Sequence, residues 1–123
     1  MTSRRRTQPA TFLPLTPAIH HILLALADQD RHGYAIMQDV AARTDGRMKF
    51  SPGTLYGSIK RMLEDGLIVE VDERPDPDMD DERRRYYRLT KFGREVAQTE
   101  ADRLTTLLRQ ARAAGLAPRR STS

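Results

Sequence analysis

Residues 51–66, SPGTLYGSIKRMLEDG, constrain the fold more than any other stretch, because they hold a fully punctuated helix and are followed at once by a change of period. Ser51 suits the N-cap, and Pro52 suits the first turn, where a missing N–H costs nothing. Gly66 stops the helix. Leu55, Ile59, Met62 and Leu63 recur at helical spacing, so one face turns to a core. From Leu67 the period falls to two: Leu67, Val69 and Val71 alternate with Ile68, Glu70 and Asp72, a short strand. A second strand pattern, RRYYRL at 84–89, comes after ERPDPDMDDER. Two prolines and a run of carboxylates forbid a tight hairpin, so a long loop at about 73–83 joins two paired strands.

Upstream, Thr16 can cap a helix that starts at Pro17 and buries Ile19, Ile22, Leu23 and Leu26 along one stripe. Residues 28–33, DQDRHG, break it, and helical spacing resumes over 34–44 with Tyr34, Met37, Val40 and Ala41 inward. Downstream, Thr90 caps a last helix in which Ala97, Ala101, Leu104, Leu108 and Ala111 form a heptad-like seam widened by Leu107. Three helices, two paired strands and a long final helix make a mainly α fold with a small two-stranded antiparallel wing, the winged helix-turn-helix arrangement. The expected organisation is a flexible basic arm over 1–13, a winged helix-turn-helix domain over 14–90, a C-terminal dimerisation helix over 91–115 and a flexible tail over 116–123.

Only 38% of the 123 residues are hydrophobic while 31% are charged, a thin supply for a closed core. A final helix of this length has nowhere to bury its stripe on so small a domain. A homodimer solves both problems, with Ile19, Leu23, Ala97, Ala101, Leu104, Leu108 and Ala111 at the interface; the other reading folds the helix back on its own core. The absence of cysteine removes disulfide scaffolds, Cys-based zinc sites and thiol nucleophiles. The longest mostly apolar run, residues 17–27, contains two histidines and is too short for a bilayer, which points to a cytoplasmic protein with no membrane partner. Nothing calls for a metal or cofactor: His20 and His21 have no carboxylate or cysteine at ligand spacing. An enzyme is not expected, since there is neither a Gly-rich phosphate loop nor an HExxH motif.

Charge placement says more than the net +4. Residues 1–61 hold 9 basic and 4 acidic side chains, residues 62–123 hold 12 and 13. On the third helix the positions left over from the core are Thr54, Tyr56, Gly57, Ser58, Lys60 and Arg61, with no acid before Glu64 and Asp65. Hydroxyls, small residues and cations on one face suit the DNA major groove, where backbone and short side chains approach base edges and phosphates; the plainer reading is a solvated face. In the wing, Asp72, Glu73, Asp76, Asp78, Asp80, Asp81 and Glu82 repel phosphates, while Arg83, Arg84 and Arg85 either attract them or pair with those acids.

In this order the segments resemble the PadR family of transcriptional regulators, the short type with one C-terminal helix. The resemblance is carried by His32-Gly33-Tyr34-Ala35-Ile36, Ser51-Pro52-Gly53-Thr54-Leu55-Tyr56, Lys60-Arg61-Met62-Leu63-Glu64-Asp65-Gly66-Leu67-Ile68, and Arg84-Arg85-Tyr86-Tyr87-Arg88-Leu89-Thr90 with Gly93. It implies a homodimeric repressor of double-stranded DNA that reads an inverted-repeat operator and is released by a small aromatic effector. Carried over by position, Tyr34, Ser51, Gly53, Thr54, Tyr56 and Lys60 meet DNA, with Arg84 and Arg85 on the wing; Ser58 and Arg61 join them from the charge pattern. The chain departs from the family at Gly57, where proline is usual, and in having no tryptophan to sandwich a flat ligand. An apolar gap lined by Leu23, Leu104 and Leu108, with His20 as a polar contact, is the expected effector site. A different class of function for the same surface is a winged-helix module that docks a protein partner without operator DNA.

Overall fold

The structure is a computed structural model, and it describes residues 8–71 and 85–116. Four helices carry a three-stranded antiparallel sheet: α1 (Pro17–Leu26), β1 (Arg31–His32), α2 (Gly33–Arg43), α3 (Pro52–Glu64), β2 (Ile68–Val71), β3 (Tyr86–Leu89) and α4 (Lys91–Ala113), with strand order β1-β3-β2. The expected wing had two strands. The third is β1, in which Arg31 pairs with Tyr87 and His32 with Tyr86. Two residues are too few to show a period of two, so the sequence displays only the helix break that contains them. Residues 73–83, the expected wing loop, lie outside the described residues, as does Arg84.

Helix starts follow local chemistry. Thr16, Ser51 and Thr90 each accept a backbone N–H three residues on, from Ile19, Thr54 and Gly93 respectively. The fourth cap is His32, whose Nδ1 accepts the Ala35 N–H at 3.1 Å. At the end of α3, Gly66 has φ +78°, the Leu67 N–H bonds to the Met62 carbonyl, and the Gly66 N–H bonds to the Leu63 carbonyl. This left-handed stop buries Leu67 beneath the helix end before β2 begins. The expected alternation of Leu67, Val69 and Val71 is corrected accordingly: Ile68 turns inward and Val69 outward.

The core joins Ile22, Leu23 and Leu26 of α1 to Ile36 and Val40 of α2, Leu55, Ile59 and Met62 of α3, and Tyr87, Leu89 and Val96. In α2 the buried stripe runs through Gly33, Ile36 and Val40, so Tyr34, expected inward from periodicity, is 56% exposed. Gly93 lets α4 leave the sheet closely, for a Cβ there would stand 2.0 Å from the Leu67 carbonyl oxygen.

Within the stretch expected as a flexible arm, residues 9–13 pack on the protomer. A 3-10 turn at Pro9–Phe12 docks on α4, where Phe12 meets Phe92 edge to face at 5.6 Å. Beside it Glu100 is 1% exposed. Its carboxylate accepts the Leu15 N–H at 3.0 Å and two bonds from Arg103, and the Arg103 hydrogen bond holds its pKa below the ordinary value. A buried carboxylate thus ties the strap of residues 9–15 to α4. Beyond Glu100, α4 leaves the protomer, and Leu104, Leu107 and Leu108 stand 38–46% exposed.

Candidate nucleic-acid interface

Tyr34, Thr54, Tyr56, Gly57, Lys60 and Arg61 are exposed, and Ser58 is half-buried. They come from the start of α2 and the length of α3, brought side by side. The Tyr56 ring lies over the first turn of α2, filling the space at Gly33, where a Cβ would meet its hydroxyl at 2.2 Å. Tyr34 follows that glycine with its ring parallel to His32, centroids 6.5 Å apart, and His32 meets Tyr86 edge to face at 5.3 Å. His32, to which the sequence reading gave no role of its own, links these elements. Its side chain caps α2, orients Tyr34 and leans on β3; the local signal was its place immediately before the glycine that opens a helix.

The electrostatics divide the surface. Asp28 and Asp39 pair with Arg31, Asp39 also with Arg43, and Asp30 with Arg88. Asp28 and Asp30 lie between α1 and β1, and Asp39 lies on α2. Among the described residues Arg47, Lys49, Lys60 and Arg61 have no acid within ion-pair distance. These four run from the end of α2 through α3, and the other cations without an acid partner, Lys91, Arg94, Arg109 and Arg112, lie along α4. Ser51, the cap of α3, also donates its hydroxyl to the Thr54 Oγ at 3.1 Å, which sets the Thr54 rotamer. Gly53 and Gly57 have nothing within 4 Å of the positions a Cβ would take, leaving backbone open on that face.

On the wing, Arg85 lies 3.2 Å from the Glu70 carboxylate and its side chain is 62% exposed. Such a surface pair contributes ~0–1 kcal/mol and is easily exchanged for a phosphate.

Two other expected sites change. Leu23 is fully buried in the protomer's own core, so it faces neither a partner nor an effector, while Leu104 and Leu108 are exposed on the far half of α4. Ile19 is half-buried against the core, Ala97 likewise, Ala101 is exposed and Ala111 half-buried. His20 is half-buried near Glu100, and burial lowers its pKa against the opposing pull of that carboxylate. Among the described residues no group of three His, Asp or Glu side chains could hold a metal, and no helix is long and apolar enough to cross a membrane.

Known proteins match this architecture. The pattern describing the Transcriptional regulator PadR-like family matches residues 22–99. The chain is 34% identical over 90 residues to transcriptional regulator Rv3488 of Mycobacterium tuberculosis, spanning 73% of this chain and 78% of that protein. It is also 34% identical over 86 residues to an uncharacterized 37.1 kDa protein in transposon TN4556 of Streptomyces fradiae, covering 70% of this chain and only 22% of that longer protein. A PadR family transcription regulator from Clostridium difficile R20291 shares the fold, with TM-score 0.67, 22% identity, and coverage of 80% of this chain and 97% of that one. Since the match takes in α2, α3, the sheet and the first turns of α4, the chain belongs to the PadR-like family of transcriptional regulators.

Proposed function

We propose that this regulator is a homodimeric, sequence-specific DNA-binding repressor that places α3 of each protomer in the major groove of an inverted-repeat operator. One observation carries the reading: the exposed face of α3 combines Thr54, Tyr56, Lys60 and Arg61 with unpaired charge and open backbone, flanked by Tyr34. Hydroxyls and tyrosines supply base-edge and phosphate bonds, the two cations supply salt-dependent affinity, and Arg85 on the wing reaches a neighbouring phosphate. The exposed leucines of α4 supply the dimer seam, which sets two recognition helices about 34 Å apart, one turn of the duplex. Release by a small aromatic effector belongs to this reading through the family; with Leu23 buried in the core and Leu104 and Leu108 exposed, such a molecule would lodge between the α4 helices of two protomers.

The test is an electrophoretic shift with the DNA upstream of the protein's own coding region. Binding that weakens steeply with salt and loses sequence preference in Thr54→Ala or Tyr56→Ala supports the reading. No shift at low salt sinks it and leaves the protein-docking module in its place.

A further inference from the structure

Among the described residues, three of the four α-helices begin on a hydroxyl: Thr16, Ser51 and Thr90 cap α1, α3 and α4. The start of α2 uses an imidazole instead, the His32 Nδ1 accepting the Ala35 N–H at 3.1 Å. Histidine is not among the favoured capping residues, since Ser, Thr, Asn and Asp satisfy the same amide with a shorter side chain. What the imidazole adds is a ring plane. That plane lies 10° from the Tyr34 ring with centroids 6.5 Å apart, within the range of an offset stack. A second aromatic, Tyr86, meets it at 82° and 5.3 Å.

The two stacked rings differ in how they are held. His32 pairs through its backbone with Tyr86 in the β1–β3 ladder, and the donor on Nδ1, whose lone pair lies in the ring plane, restrains that plane. Tyr34 is 56% exposed, and among the described residues its hydroxyl has no hydrogen-bond partner. An exposed phenol samples several staggered wells unless a neighbour selects one, and a side chain that is ordered only on binding costs affinity. Gly33, between the two rings in sequence, yields its space to Tyr56, so the stacked pair stands beside the α3 residue that the DNA reading places in the groove.

We propose that His32 is a positioning residue for operator reading: without touching DNA it holds the Tyr34 phenol in one orientation before the duplex arrives, and through Tyr86 it ties that orientation to β3. The inference rests on the DNA-binding reading above. Because Arg85 immediately precedes Tyr86, the wing's phosphate contact and the contact made by the start of α2 then share one frame.

The test separates the ring from the cap. His32→Asn keeps a strong capping oxygen and deletes the ring, while His32→Phe keeps a ring and deletes the acceptor. Both are compared with wild type, with Tyr34→Ala and with His32→Asn/Tyr34→Ala, using the full chain, a duplex that the wild-type protein selects from a random pool, and a temperature at which every variant is folded. His32→Asn should keep the thermal midpoint and weaken binding by ~2- to 12-fold, the size of one aromatic pair. The double variant should bind no worse than Tyr34→Ala alone, the mark of two residues acting as one. His32→Phe should lower the thermal midpoint and bind as wild type does. In the free protein, the Tyr34 ring-proton resonances should lose their ring-current displacement in His32→Asn and keep one in His32→Phe.

Wild-type affinity in His32→Asn would overturn the inference. Additive losses in the double variant would overturn it too, since His32 would then act on something other than Tyr34, as would equal losses in His32→Asn and His32→Phe. If His32→Asn does not fold, Tyr86→Ile carries the same test from the other side of the ring: it should cost affinity only where Tyr34 is present, and an equal cost in the Tyr34→Ala background overturns the inference. A wild-type chain that selects no duplex overturns the DNA reading and this inference together, whereas the other failures overturn this inference alone.

Discussion

Two exposed surfaces of this protomer differ in what they lack. The outer face of α3 is polar and cationic, with Lys60 and Arg61 unpaired and two glycines opening the backbone. The outer half of α4 carries an apolar stripe, with Leu104, Leu107 and Leu108 in the open beside Arg109 and Arg112. An unpaired cationic face costs little in water and gains a polyanion by releasing counterions, so its binding is governed by salt. An exposed leucine stripe costs about 25 cal/mol per Å² until something apolar covers it, so its binding is governed by protein concentration. A dimeric DNA-binding regulator needs both, and here they sit on different helices where each can be broken alone.

The largest effect should come from the apolar side. Leu104→Asp or Leu108→Asp puts a charge into the seam and should give a monomer by light scattering at micromolar concentration. A monomer engages one half-site, so operator affinity should fall by about 10²-fold or more, the usual gain of bivalent engagement. Next come Thr54→Ala and Tyr56→Ala, which should leave the dimer intact. Each should lose roughly 1–3 kcal/mol of discrimination against altered operators, read from competition shifts. If Tyr56→Ala instead dissociated the dimer, the two surfaces would not be independent and the comparison would fail.

Glu100 marks the point where α4 passes from the protomer's core to the exposed seam. Glu100→Gln keeps the shape but gives up the charge that Arg103 and the Leu15 N–H satisfy, and should lower stability by about 1–3 kcal/mol in urea. The pH dependence has a definite sign. Glu100 has a lowered folded pKa, so the stability it contributes is present above the ordinary carboxylate range and is lost as pH falls through the folded value. His20 is also lowered, chiefly by burial, so below its ordinary value of 6.5 the unfolded chain takes up the proton first and stability falls again. Thermal midpoints should decline from about pH 6.5 downward, and Glu100→Gln should decline less steeply at the acid end.

Much of this architecture is legible in the chain because local chemistry and tertiary role coincide. Ser51, Pro52 and Gly66 punctuate α3 whatever it packs against, and its core stripe is the only apolar face it has. Reading failed where tertiary contacts decide. Tyr34 has the spacing of a core residue, yet the stripe of α2 is set by Gly33, Ile36 and Val40, with Tyr56 laid across Gly33. Leu23 looks available for a partner because α1 is apolar, but its own protomer buries it. β1 is invisible because its strand character resides in pairing to β3, where Arg31 meets Tyr87 and His32 meets Tyr86, 56 and 54 residues away in sequence and adjacent only in space. The strap is held by a carboxylate 85 residues distant, a separation that no local pattern records.

The smallest effect belongs to the wing, and it sharpens the comparison because Arg85 sits on neither surface. Its guanidinium already has a partner in Glu70, in a pair whose two members are both substantially exposed. Moving it to a DNA phosphate exchanges one weak pair for another, so little affinity is at stake; counterion release is what changes. Arg85→Ala should therefore reduce the salt slope by about 0.9 and weaken all sequences alike, without altering preference among operators. Glu70→Gln should act in the opposite direction, because it frees the guanidinium before DNA arrives. A sequence-dependent loss in Arg85→Ala would mean that the wing reads bases, and specificity would then have to be divided between α3 and β3 rather than assigned to the cationic face alone.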